Sequence, residues 1–63
     1  MPLNIEKIRK LMEGVTQAEV ARAAGMLQPA LSRILAGKFD PKLSTVERLA
    51  RALGVSAKDL LRE

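Results

Sequence analysis

The sequence predicts an all-α fold, a compact bundle of five short helices, and three observations support this prediction. Apolar residues recur at steps of three and four along almost the whole chain, and the alternation typical of strands is nearly absent. Residues that favour helix starts precede most of these apolar runs. Each of the four glycines follows a run, where a left-handed backbone lets a helix end. The predicted helices lie near residues 5–13, 16–24, 28–36, 45–53 and 57–62.

The first two helices have clear start and stop signals. Asn4 can cap the first helix, and Gly14 follows its last apolar residue. The motif TQAE at residues 16–19 is typical of a capping box at the start of the second helix, which Gly25 ends. The residues predicted to face inward are Ile5, Ile8, Leu11 and Met12 in the first helix and Val20, Ala21 and Ala24 in the second.

The third helix begins without an obvious capping side chain, because Leu27 and Gln28 come directly before Pro29. Proline fits the first turn of a helix, where a backbone N–H has no partner within the helix. The periodicity places three residues inward, namely Leu31, Ile34 and Leu35. The outer face of this helix therefore carries Gln28, Pro29, Ser32 and Arg33.

The fourth and fifth helices are predicted as scaffold. The motifs STVE at 44–47 and SAKD at 56–59 are typical of capping boxes. Before them, residues 38–42 (KFDPK) form the longest loop, and we expect Phe39 to anchor that loop on the core rather than to lie at a contact between subunits. The core residues predicted in this half are Val46, Leu49, Leu53, Val55 and Leu60.

The length and composition limit what the chain can do. Its 63 residues suffice for a single domain, residues 1–63, with a small core. The sequence has no His and no Cys, and its carboxylates are scattered, so no catalytic site, metal site or cofactor is predicted. No apolar run approaches a signal-peptide core or the roughly 20 residues of a membrane span. We therefore expect a cytoplasmic, non-enzymatic protein without membrane attachment.

The charge favours a polyanionic partner. Eleven Lys and Arg against seven Asp and Glu give a formal charge of +4, with a sequence pI near 10.1. The single Phe argues against base stacking on aromatic side chains, which is a common way to bind single strands and RNA loops. The alternative for the charge itself is that a few net positive charges only keep a small domain in solution.

The chain resembles the DNA-binding domain of the lambdoid phage repressor and Cro family. The resemblance rests on TQAEVARAAG (16–25), QPALSRILAGK (28–38) and LSTVERLARALGVSAKDLL (43–61). It implies a five-helix bundle with a helix-turn-helix unit at about 16–36, whose second helix enters the major groove. It also implies a regulator, of the repressor type, that is encoded by a bacterium or phage and associates with the nucleoid.

The resemblance places the base contacts at the start and on the outer face of the third helix. Gln28 can pair with adenine and Arg33 with guanine, each through two hydrogen bonds. The alternative is that both are ordinary solvated residues. Pro29 and Leu27 present apolar surface that could contact a thymine methyl group. Leu27 replaces a hydroxyl residue usual in the family, and its alternative is to pack back against the bundle.

Phosphate contacts are expected on both sides of the third helix in sequence. Thr16 and Gln17 lie at the start of the second helix, where free backbone N–H groups and the helix dipole attract anions. Gln17 matches the family's recurrent phosphate-binding Gln. The remaining candidates are Ser32, Lys38 and Lys42, and for the two lysines the alternative is a solvated loop position.

The resemblance also implies a weak homodimer that forms mainly on an operator, with half-sites about one helical turn apart. Leu61 is the candidate dimer contact, because it is hard to bury beside Leu60. Two other interpretations remain open. The chain could be an antitoxin whose main partner is a toxin protein, or an engineered or excised DNA-binding domain of a longer repressor.

Overall fold

A computed structural model describes residues 3–62, and within that range it confirms the all-α class. Four α-helices are followed by one 3₁₀ turn, and the sole β-type pairing among these residues is an isolated antiparallel bridge between Leu3 and Leu61. The elements are α1 (Ile5–Leu11), α2 (Gln17–Ala24), α3 (Gln28–Leu35), α4 (Leu43–Leu53) and the 3₁₀ turn (Ala57–Leu60).

The prediction of a fifth α-helix at 57–62 is wrong. The 3₁₀ turn begins after Ser56, whose backbone N–H donates to Asp59 Oδ2 at 3.0 Å. It ends after four residues because Leu61 adopts an extended backbone, with φ −101° and ψ 146°. That conformation lets Leu61 pair with Leu3. The first and last described segments are thereby joined, and the Asn4 N–H donates to the Leu60 carbonyl at 2.8 Å.

The core is contributed by every helix and by the 3₁₀ turn. The three inward positions predicted for α3 are confirmed, since Leu31 and Ile34 are completely buried and Leu35 is 4% exposed. Leu53 and Val55, also predicted as core residues, are only partly buried and pack against the core. The largest fully buried side chains are Ile8, Leu31, Ile34, Val46, Leu49 and Leu60.

Two of the caps predicted for the α-helices are present, and the capping box predicted at residues 56–59 is present in the 3₁₀ turn. The Asn4 side chain accepts the Lys7 N–H at 3.2 Å and caps α1. Thr16 Oγ1 accepts the Glu19 N–H at 3.1 Å and caps α2. The Thr16 hydroxyl also donates to Glu19 Oε1 at 3.2 Å, so two hydrogen bonds join Thr16 to Glu19.

The predicted start of α4 at residue 45, capped by Ser44, is wrong. The helix begins at Leu43, and the residue at its N-cap is Lys42, which makes no side-chain capping bond. The backbone explains this earlier start, because the Lys42 carbonyl already accepts the N–H groups of Thr45 and Val46 at 3.0 and 3.1 Å. Ser44 therefore lies inside the first turn.

The loop before α4 is anchored by a different residue from the one predicted. Phe39 is 50% exposed, so the expectation that it packs into the core is wrong. Pro41, two residues later, is buried. Proline has no N–H to satisfy and a rigid ring, and it can therefore be buried in a loop at lower cost than most residues. The buried ring brings the chain back to the bundle immediately before α4.

Residues 3–62 contain no helix that has both the length and the apolar character needed to cross a bilayer.

Candidate nucleic-acid interface

The pair α2 and α3 is joined by a turn of three residues, 25–27. Gly25 ends α2 with φ 69° and ψ 35°, a left-handed conformation that residues with a side chain rarely adopt. Ala21 and Ala24 on α2 are 2% and 3% exposed. Because these side chains are small, the two helices can pack closely behind the turn. This is the geometry of a helix-turn-helix unit.

The outer face of α3 is exposed along its length. The four residues predicted there are all exposed, namely Gln28, Pro29, Ser32 and Arg33. The sequence of α3, QPALSRIL, contains no acidic residue, and its one charged side chain is Arg33. The structure thus presents a face of polar, apolar and cationic groups with nothing on α3 itself that repels an anion.

The start of α3 has an apolar residue at its N-cap and no side-chain cap. Leu27 has an extended backbone, with φ −78° and ψ 143°, and its side chain makes no capping bond. It is 76% exposed, so the alternative in which Leu27 packs back against the bundle is wrong. Pro29 lies in the first turn, where its missing N–H leaves no intrahelical bond unmade. Leu27 and Pro29 together form an apolar patch at the beginning of α3.

At the start of α2, the helix cap already uses the hydrogen bonds of one of the two predicted phosphate ligands. Thr16 is exposed, but its hydroxyl is held by Glu19, as described above. Gln17 is the first residue of α2 and is partly exposed, with no side-chain bond assigned to it. Of these two predicted phosphate ligands, the Gln17 side chain is therefore the one available without rearrangement.

The two loop lysines both lie in the segment of residues 36–42 that joins α3 to α4. Lys38 is exposed three residues after the end of α3, and its N–H donates to the Arg33 carbonyl at 3.1 Å. Lys42 is exposed at the N-cap of α4, and the first turn of α4 carries no acidic residue. A cation at the positive end of a helix dipole is unfavourable for the free protein. A bound anion would relieve that repulsion.

The predicted dimer contact has a structural role in the isolated chain. Leu61 is partly buried, packs against the core and pairs with Leu3 in the isolated bridge. Beside it, Arg62 Nη2 lies 3.8 Å from Glu6 Oε1 in an exposed ion pair. In the described part of the chain, no group of three or more His, Cys, Asp or Glu side chains is placed to hold a metal ion.

Comparison with known proteins agrees with this geometry. The model of a helix-turn-helix family matches residues 5–60, which span α1 to the 3₁₀ turn. The chain belongs to the Cro/C1-type helix-turn-helix family. The match extends across all four helices rather than over the α2–α3 pair alone.

Two relatives of this helix-turn-helix protein have been named. One is protein P2 of Acyrthosiphon pisum secondary endosymbiont phage 1, 43% identical over 49 residues, which are 75% of this chain and 52% of the phage protein. The other is the uncharacterized HTH-type transcriptional regulator y4dJ of Sinorhizobium fredii (strain NBRC 101917 / NGR234), 38% identical over 58 residues, which are 92% of this chain and 74% of y4dJ. The chain thus spans about half the length of the phage relative.

Proposed function

We propose that this helix-turn-helix protein is a transcriptional regulator of the repressor type, which occupies an operator in double-stranded DNA. Residues 16–36 are the unit that reads the sequence, with α3 in the major groove. The observation that supports this best is the outer face of α3, where Gln28 and Arg33 are exposed on a helix without acidic residues. The match of y4dJ, named as a transcriptional regulator, agrees with the same proposal.

The proposed base contacts follow from the chemistry of this face. Gln28 is at the first position of α3, and its amide can bond to N6 and N7 of adenine. Arg33 lies five residues later, about one and a half turns along the helix, and its guanidinium can bond to O6 and N7 of guanine. Each well-formed pair is worth about 1–3 kcal/mol of discrimination between bases.

The proposed phosphate contacts come from the start of α2, from α3 and from the loop that follows α3. Thr16 and Gln17 act at the start of α2, where the backbone N–H groups add to the attraction. Ser32 acts from α3 itself, and Lys38 and Lys42 act from the loop that follows. Such contacts fix the orientation of the protein on the duplex without reading its sequence.

We expect Leu27 and Pro29 to read a methyl group, and replacing one thymine of the operator by uracil tests this. Uracil lacks only the 5-methyl group, so the loss at the contacted position should be about 1 kcal/mol or less, from the loss of one apolar contact. Equilibrium titrations with a set of singly substituted duplexes would locate the position.

The matched control for the uracil experiment is the Leu27→Ala variant. It should discriminate less between the thymine and uracil duplexes than the wild type does, because only Pro29 remains of the two side chains proposed to contact the methyl group. Equal discrimination by the wild type and Leu27→Ala would show that Leu27 makes no methyl contact. Unchanged affinity of the wild type for every uracil-substituted duplex would also show that no methyl group is contacted.

The chain is proposed to bind as a weak homodimer that forms mainly on the DNA, with Leu61 and its surroundings at the contact. Two copies related by a two-fold axis would place their α3 helices in successive major grooves, about one helical turn apart. The operator would then have two-fold symmetry.

Selection of bound duplexes from a randomised pool, at roughly physiological salt, tests the proposed function. Non-specific binding is weak under these conditions, with dissociation constants of about 10⁻⁴ to 10⁻⁶ M, so enrichment reports sequence reading. We expect a motif with two-fold symmetry. A double variant, Gln28→Ala with Arg33→Ala, serves as the control and should lose the motif at the positions those residues read. Failure of the wild type to enrich any sequence would overturn the proposal.

A further inference from the structure

A hydrogen bond of long sequence separation connects α1 to the end of α3. Arg9 Nη2 donates to the Leu35 carbonyl oxygen at 3.1 Å, across 26 positions. Leu35 is the last residue of α3, and Arg9 is in the last turn of α1. The bond is partly buried, although Arg9 as a whole is exposed. Ile8, the neighbour of Arg9, is completely buried in the core.

The Leu35 carbonyl is where α3 needs an outside donor. The last four carbonyl groups of a helix have no partner within the helix. In α3, those of Ser32, Arg33 and Ile34 accept the backbone N–H groups of the next residues, 36–38, at 3.0–3.1 Å. The Leu35 carbonyl instead accepts the bond from Arg9. Arg9 therefore completes the C-terminal cap of this helix.

The other end of α3 has no comparable support. Leu27, at its N-cap, makes no side-chain bond, and its first turn has no acidic residue to interact with the helix dipole. The positive charge of Arg9 is, by contrast, at the negative end of that dipole. The side-chain support of the helix ends is thus concentrated at the C-terminal turn, which also carries Arg33.

We propose that Arg9 is a positioning residue for DNA reading. It holds the last turn of α3 against α1, and so fixes where the Arg33 side chain meets the base edges, without touching DNA itself. This inference rests on the proposed function and adds to it a residue outside the helix-turn-helix unit. Loss of the Arg9 bond should lower discrimination between DNA sequences while leaving non-specific attraction to phosphates almost unchanged.

The test compares Arg9→Met with Lys10→Met. Methionine keeps an unbranched stem but removes the donors and the charge. Lys10 is exposed on the same turn of α1 and makes none of the bonds at the end of α3, so its replacement has the same effect on net charge. Both variants are titrated with operator and with unrelated duplex, at a temperature where thermal unfolding shows that each is fully folded.

We expect Arg9→Met to lower the ratio of specific to non-specific affinity by about tenfold, a typical coupling between contacting residues, and Lys10→Met to leave it within about twofold. The dependence of affinity on salt should be the same for both variants. In an Arg33→Ala background, Arg9→Met should have little further effect on the ratio, since Arg9 acts through Arg33. Arg9→Lys keeps a charged donor, so its ratio of specific to non-specific affinity should lie between those of Arg9→Met and the wild type.

A second readout does not depend on DNA. The carbonyl ¹³C resonance of Leu35 and the amide resonances of residues 36–38 should shift in Arg9→Met and stay in place in Lys10→Met.

Unshifted resonances in Arg9→Met would overturn the contact itself. Shifted resonances with an unchanged affinity ratio would overturn the positioning role. A lower salt dependence in Arg9→Met than in Lys10→Met would show a direct phosphate contact and also overturn it. If the wild type selects no sequence, the proposed function fails, and the positioning role fails with it.

Discussion

Replacing Leu31 by Ala is expected to lower the free energy of unfolding by about 2–5 kcal/mol, as is typical of a fully buried leucine. Leu31 is 0% exposed and is part of the core cluster in which α3 packs against the other helices. A 63-residue domain has roughly 3–9 kcal/mol of stability in total. The loss is a large part of that total, so the variant should unfold at a clearly lower urea concentration than the wild type. Urea unfolding followed by circular dichroism measures the change.

Leu27→Ala is the matched control for this experiment. It is the same chemical change four residues earlier, at a side chain that is 76% exposed and makes no capping bond. We expect its free energy of unfolding to stay within about 0.5 kcal/mol of the wild type. A loss below 1 kcal/mol for Leu31→Ala, or similar losses for the two variants, would show that α3 does not pack on the core through Leu31.

Arg33→Ala and Gln17→Ala are expected to weaken DNA binding in two different ways. Removing the Arg33 guanidinium should cost about 1–3 kcal/mol on the selected operator and relax the preference at one base pair of each half-site. Removing the Gln17 amide should weaken binding to all sequences alike, because a phosphate contact carries no sequence information. Titration against the operator and each single-base variant of it measures both effects.

Arg51→Ala controls for the loss of one positive charge. Arg51 is an exposed arginine in the last turn of α4, outside the helix-turn-helix unit. It should weaken binding slightly, on all sequences and less at higher salt. If Arg33→Ala and Gln17→Ala both reduced affinity equally on every sequence, α3 would not be reading bases, and the assignment of roles to these two residues would be wrong.

The local signals in the sequence were reliable where a side chain bonds to the nearby backbone. Asn4 and Thr16 cap their helices as predicted, and Gly25 ends α2 in the left-handed conformation. The inward face of α3 was also predictable, because helical periodicity alone places Leu31, Ile34 and Leu35 on one side. These features depend on contacts within about four residues.

The errors lie where a distant contact overrides such signals. The capping motif at Ser44 was not used, because the Lys42 carbonyl already accepts the first bonds of the helix and α4 begins at Leu43. The last segment stops after one 3₁₀ turn because Leu61 pairs with Leu3. Phe39 is half-exposed although it is the single aromatic residue of the chain. Composition gives no indication of which of two neighbouring loop residues will be buried.

The candidate site, like the fold, could be predicted from the sequence only in part. The residues of the outer α3 face could be named from the sequence, and the structure shows that they are exposed together. The exposure of Leu27 was left open by the sequence, and the structure shows its side chain 76% exposed. The contribution of Arg9 was missed, because its bond to Leu35 spans 26 positions and no motif marks it. An arginine beside a core residue in α1 was the only hint.

The sequence by itself determined the helical class, the order of α1 to α4, the helix-turn-helix unit and the identity of the outward side chains on α3. It did so because helical periodicity and capping are set by neighbours along the chain. Only the tertiary structure decided where α4 begins, how the last segment ends, and that α1 caps the helix proposed to read DNA. Those outcomes depend on the packing of residues far apart in sequence, such as Leu61 on Leu3 and Arg9 on Leu35.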